Sequence, residues 1–185
     1  MPSIITHAVT GLTGGVIFPK ENIPKRFWLL SLILPVIPDF DSIGFALGVP
    51  YESFFGHRGF FHSLFFALLL VFMTMLFFFK EKKTFSKEWF GFLLYFFVLT
   101  ASHPVLDIFT SGGLGIALFS PFDTTRYFAS WRPIMVSPIG IRHFLSAWGA
   151  RVLLSEMIWV WFPCILIAGS VTFARKAKKK GQSII

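Results

Sequence analysis

Apolar positions in this chain gather into long runs, and polar ones cluster between them. His62 to Phe79 reads HSLFFALLLVFMTMLFFF and is followed at once by Lys80, Glu81, Lys82 and Lys83. A membrane-spanning helix needs about 20 mostly apolar residues. Trp89–Leu106 and Met157–Ala174 have the same character, the latter running into Arg175, Lys176, Lys178, Lys179 and Lys180. Two further runs are weaker. Ile4–Phe18 is short and glycine-rich, with Gly11 and Gly15 four apart as in close helix contacts. Phe27–Leu47 has the length but is interrupted by Pro35, Pro38, Asp39 and Asp41. The pattern predicts an all-α fold, a polytopic membrane helical bundle of about five membrane segments. The first run lacks the basic start of a signal peptide and carries His7, so it is expected to belong to the mature structure.

The basic residues orient such a bundle. Segments 20–26, 80–87 and the tail hold twelve of the seventeen lysines and arginines, leaving Arg58, Arg126, Arg132, Arg142 and Arg151 elsewhere. Short loops rich in Lys and Arg stay in the cytoplasm. Five segments then place the N-terminus outside and the C-terminus in the cytoplasm. The expected organisation is one membrane-embedded helical domain over 1–175, with a long external loop at 108–150 and a basic cytoplasmic tail at 176–185. Composition agrees with the membrane class. Hydrophobic residues make up 55% and charged ones 14%, against about 25% charged in soluble domains. The net charge of +8 sits beside apolar runs, which points to the bilayer as partner and not to nucleic acid. A single cysteine, Cys164, excludes an internal disulfide and a thiolate metal cage.

Against this background the ionisable residues stand out. His7, Asp39, Asp41, His57, His62, His103 and Asp107 fall at the outer ends of four predicted segments, at one level of the bilayer. Ionisable groups at membrane depth are costly and mark function. A divalent cation would compensate them. His103 and Asp107, at i and i+4, share a helical face, whereas Asp39 and Asp41 need a non-helical turn, which Pro38 favours. Imidazole with carboxylate suits zinc, manganese or iron. The expected metal set is His7, Asp39, Asp41, His57, His62, His103 and Asp107. Seven groups exceed the four ligands of a typical zinc site, so either two metals share them or some act otherwise. The expected ligands are His7, Asp41, His62, His103 and Asp107, with Asp39 the candidate base and His57 its rival. Arg58 is the nearest cation, either holding a phosphate oxygen or pairing with one carboxylate. Glu52, Asp123 and Glu156 read as solvated or interfacial, and His143 as an interfacial histidine or a further site residue.

Taken in order, His7, "PDFD" at 38–41, "HRGFFHS" at 57–63 and "HPVLD" at 103–107 resemble the YdjM-like inner-membrane proteins, a family described as metal-dependent hydrolases whose name also refers to LexA binding. The resemblance runs from about residue 3 to beyond 110 and more loosely to the end; Phe61 stands where the family pattern has Thr. A more distant likeness is to zinc-dependent phospholipase C, whose later His-x-x-x-Glu pair has no counterpart here. The resemblance implies a membrane-embedded hydrolase in the inner membrane of a prokaryote, with one or two divalent ions, zinc first. Its expected bond is a phosphoester, on a substrate that is lipid-linked in one version, and its site faces outward. The alternatives are a metal-ion or proton transporter, and a structural protein whose metal staples helices. The sequence leaves the oligomeric state open.

Overall fold

The computed structural model describes residues 1–19 and 23–182; Lys20, counted above among the basic residues, lies outside them. Helices α1 (Ile4–Ile17) and α2 (Lys25–Ile33) lead into a 3-10 turn, Ile37–Ser42, and the short α3 (Ile43–Ala46). A second 3-10 turn, Phe60–His62, precedes α4 (Leu64–Phe78), and α5 (Lys87–Ile108) follows. The chain closes with α6 (Ile141–Phe144), α7 (Ala147–Glu156), a π turn (Met157–Trp161) and α8 (Phe162–Gln182). Among the described residues there is no sheet, only two isolated bridges, Thr110 with Ile134 and Ile116 with Tyr127.

The all-α architecture stands, but the expected five membrane segments do not. Two helices are long and apolar enough to cross a bilayer: α5, and the continuous 36-residue stretch Ala147–Gln182. Lys25–Ile33 and Ile37–Ala46, bent by 46°, make a third if they count as one broken span. The reason is length. At 1.5 Å per residue the 14 residues of α1 and the 15 of α4 rise only about 21–23 Å, short of a hydrocarbon core of about 30 Å. Ser63 caps α4 by accepting the Phe66 N–H at 3.0 Å, which cuts the apolar run at its start. The orientation with the N-terminus outside and the C-terminus in the cytoplasm rested on five crossings and falls with them. Ile158, Phe162, Ile165, Leu166 and Phe173 lie exposed along the last helix, an apolar surface suited to lipid.

The core joins α2, α4 and α5 through Phe27, Leu30, Leu34, Val71, Met75, Phe79, Phe92, Phe96 and Leu99. Helix α1 packs on α2 through its glycines. A Cβ on Gly11 would stand 2.0 Å from the Ser31 carbonyl oxygen, and one on Gly15 would stand 2.5 Å from the Trp28 ring. Glu156, expected at a solvated or interfacial position, is fully buried. Its carboxylate accepts from the Ser3 amide and hydroxyl and from Thr6 Oγ1 at 2.7 Å, while Trp161 Nε1 donates to Thr6 Oγ1 at 2.6 Å. Partners from a segment 150 residues away satisfy it, and sequence spacing carries no trace of that.

Residues 109–140 fold back over the 50–63 loop. Ala117 N–H donates to the Arg58 carbonyl at 3.0 Å, and Arg126 donates to the carbonyls of His57 (3.0 Å) and Tyr51 (2.9 Å). The close approach of α1 predicts that Gly11→Val destabilises by about 1–3 kcal/mol, because backbone must move. Gly91→Ala, whose Cβ would meet nothing within 4 Å, leaves stability equal or higher by up to about 1 kcal/mol. Denaturant unfolding in detergent, followed by circular dichroism, checks the pair.

Candidate metal centre

Four separate elements bring the ionisable residues together. Helix α1 carries His7, the first 3-10 turn carries Asp39 and Asp41, the loop and second 3-10 turn carry His57 and His62, and α5 carries His103 and Asp107. A 3-10 helix has three residues per turn. Residues two apart on it therefore face different ways, and the two aspartates reach His62 at different ring nitrogens, Asp39 at Nε2 and Asp41 at Nδ1.

Asp39, His62, His103 and Asp107 form one buried group, each offering a donor atom within 4.8 Å of the others. His62 Nε2 lies 3.5 Å from Asp39 Oδ1 and 3.6 Å from Asp107 Oδ2. His103 Nε2 lies 3.4 Å from Asp39 Oδ1 and 3.9 Å from Asp107 Oδ2. His7 stands beside them, its Nε2 3.6 Å from Asp107 Oδ1 and its ring stacked on His103 at 3.8 Å. These separations are too long for hydrogen bonds. Both carboxylate oxygens of Asp39 and of Asp107, Nε2 of His62 and His103, and both ring nitrogens of His7 are buried with no hydrogen-bond partner. Such atoms are rare in folded proteins and call for an explanation. A divalent ion supplies one. Donors each about 2.0–2.1 Å from a tetrahedral ion stand about 3.3 Å from one another, close to the spacings here. The second nitrogen of His103 is already engaged, Nδ1 lying 2.8 Å from the Pro35 carbonyl oxygen. That contact fixes the ring and leaves Nε2 facing the cluster, as for a metal-binding histidine.

Asp41, His57 and His62 form the second group. Asp41 Oδ1 is 2.6 Å from His57 Nδ1, and Oδ2 accepts the Arg58 amide at 3.0 Å. The same Oδ2 stands 2.9 Å from His62 Nδ1, although His62 Nδ1 counts among the nitrogens without an aligned bond. Asp41 thus sits behind both rings.

Arg58 is buried and adopts φ 64°, the left-handed region a side chain rarely enters. Its terminal nitrogens donate to the Gly112 carbonyl at 2.6 Å and to Thr110 Oγ1 at 3.2 Å, and Nε is 3.7 Å from Asp107 Oδ2. Burial lowers the guanidinium pKa from its ordinary value, and Asp107 opposes that fall. Arg126 is occupied by loop carbonyls, and Arg132 lies over the Phe128 ring at 4.7 Å. His143 and Arg142 are exposed on α6, outside both groups. The Pro35 carbonyl is the partner that sequence reading missed, because a backbone acceptor leaves no mark in residue type.

Nearly the whole length has known counterparts. The chain matches the family model described as YdjM inner membrane protein over residues 1–180. It is 36% identical over 176 residues to Inner membrane protein YbcI of Escherichia coli (strain K12), covering 95% of this chain and 100% of that one. No solved structure matches it.

Four substitutions grade the cluster. His103→Ala or Asp107→Ala is expected to abolish metal binding. Asp41→Asn, acting through His62, is expected to weaken it about 10–100-fold. His143→Ala is expected to change nothing. Elemental analysis and metal titration of purified protein, with circular dichroism to confirm folding, read all four.

Proposed function

The chain belongs to the YdjM inner membrane protein family and is an integral inner-membrane protein of a bacterium, and from that premise we propose that its buried His/Asp cluster is the centre of a metal-dependent hydrolase acting on a phosphoester. The observation that carries this reading is the convergence of partnerless carboxylate and imidazole atoms beside an independently oriented His57–Asp41 pair. Asp39, His62, His103 and Asp107 hold the ion, zinc by preference with manganese and iron as alternatives, and His7 completes or exchanges in that set. When bound, a divalent ion supplies Lewis-acid polarisation of a phosphoryl oxygen and acidifies water. His57 accepts the proton, and Asp41 fixes its tautomer through the 2.6 Å contact to Nδ1. Arg58 is a positioning residue: the Gly112 and Thr110 contacts hold its charge against Asp107. In this assignment Asp39, first considered as the base, serves as a ligand, and Asp41 stands behind the histidines.

One observation favours a second reading, a metal that only staples helices. The side chains of His7, His62, His103 and Asp107 have no solvent exposure and that of Asp39 has 5%, as in closed structural sites. Transport is less well supported, because the interior beyond the cluster is mainly Val71, Met75, Phe96 and Leu99, and the polar groups buried there among the described residues are the hydroxyls of Ser31, Thr74 and Thr100, with no further carboxylate or histidine.

His57→Gln separates the readings. In a hydrolase it keeps the metal and lowers kcat about 10²–10⁴-fold, the usual reach of a general base. Metal content and turnover of a phosphoester panel on one preparation decide it. Loss of metal would make His57 a ligand. A metal that raises the melting temperature of wild type without turnover of any phosphoester would leave the stapling role.

A further inference from the structure

The cluster takes His7 from the start of α1 and His103 from the end of α5. Two hollows lie along these helices and share a wall; the first reaches from Thr10 and Ser102, beside the cluster, to Gly91 and Pro19 at the far end. The first, about 460 Å³, runs between α1, α5 and α8 and is lined by Gly14, Ile17, Gly91, Leu94, Val98 and Cys164. Its surface is mostly apolar, and the hydroxyls of Thr10, Thr13, Tyr95 and Ser102 that also line it are bonded to His7, Val9, Ser31 and Leu99. The second, about 560 Å³, is bounded by Ile23, Trp28, Arg175, Lys176, Lys178 and Lys179. Phe18 and Pro19 line both. Among the described residues no carboxylate lines either hollow. Arg175 has a structural task, donating to the carbonyls of Val16, Ile17 and Phe18 at 2.6–3.2 Å, where α1 leaves its last oxygens open. Lys176 and Lys178 remain as the cationic lip of an apolar slot.

We propose that the paired hollows bind one anionic phospholipid, with an acyl chain in the slot between α1, α5 and α8 and its phosphate at Lys176 and Lys178. The chemistry selects this occupant. A free phosphate would have no use for the slot. A zwitterionic headgroup would bring its own ammonium to the lysines. An anionic lipid satisfies both halves, since basic residues at the membrane surface attract anionic headgroups and the apolar stretch is sited where a chain would lie. The slot contains none of the cluster's ligating residues, although Ser102 at its inner end adjoins His103, and the proposal does not depend on hydrolysis.

Native mass spectrometry of the purified full-length protein tests it, with phosphatidylglycerol, phosphatidylcholine and glycerol 3-phosphate as probes. Wild type is expected to retain one phosphatidylglycerol in preference to phosphatidylcholine and to ignore glycerol 3-phosphate. Replacing both lysines (Lys176→Gln with Lys178→Gln) should weaken phosphatidylglycerol about thirtyfold and leave phosphatidylcholine unchanged. Gly91→Phe, at a position where a Cβ meets nothing within 4 Å, should fill the slot and displace both lipids while the melting curve stays cooperative. Equal retention of the two lipids by wild type would overturn the headgroup site. Unchanged lipid binding in folded Gly91→Phe would overturn the chain slot. Saturable binding of glycerol 3-phosphate alone would make it a phosphate site and not a lipid site. Should Gly91→Phe fail to fold, Leu94→Trp on the same wall is read in its place.

Discussion

Asp39 and Asp107 face the same two histidine nitrogens in a buried pocket, and the surrounding architecture answers to that constraint. Two carboxylates in low dielectric repel each other, and neither can be solvated by water. Arg58 offsets part of the charge, with Nε 3.7 Å from Asp107. The imidazole nitrogens are too far away to donate good hydrogen bonds. A divalent ion at the point of convergence would resolve the conflict in one step, and the donor atoms are close enough together to share one.

What surrounds the cluster serves to hold it still. Gly11 and Gly15 let α1 lie close against α2, and from the same helix His7 stacks on His103 of α5. The Pro35 carbonyl turns the His103 ring. The chain accepts a left-handed backbone at Arg58, and the same residue then offers its amide to Asp41, its guanidinium to Asp107 and its carbonyl to Ala117. Strain at one residue is tolerable where its neighbours over-determine it. Glu156 fastens the start of α1 to the last helix, so the segment bearing His7 is anchored at its amino end as well as along its glycine face.

This arrangement also explains why several apolar elements are too short to cross a bilayer alone. A helix that must deliver a side chain to an internal point has to end or bend there. The Phe27–Leu47 run does so at Pro35, becoming α2, a 3-10 turn and α3. Irregular backbone at membrane depth is tolerated where protein covers it, and residues 109–140 help to cover the 50–63 loop. The helices α5 and Ala147–Gln182 are the ones long and apolar enough to cross the bilayer.

The sequence by itself determined the membrane class, the helical nature of the chain and the ionisable residues worth gathering. Those depend on composition, run length and the i, i+4 spacing of His103 and Asp107, all local quantities. It did not determine how many runs cross the bilayer, because apolar length predicts a span only if the helix continues, and Ser63 and Pro35 stop it. Nor could it divide Asp39 from Asp41, since that depends on the phase of a 3-10 turn against helices far away in the chain. The burial of Glu156 and the engagement of Arg58 were likewise decided by tertiary structure. A buried polar group is defined by its partners, and here those partners lie between about 50 and 150 residues away.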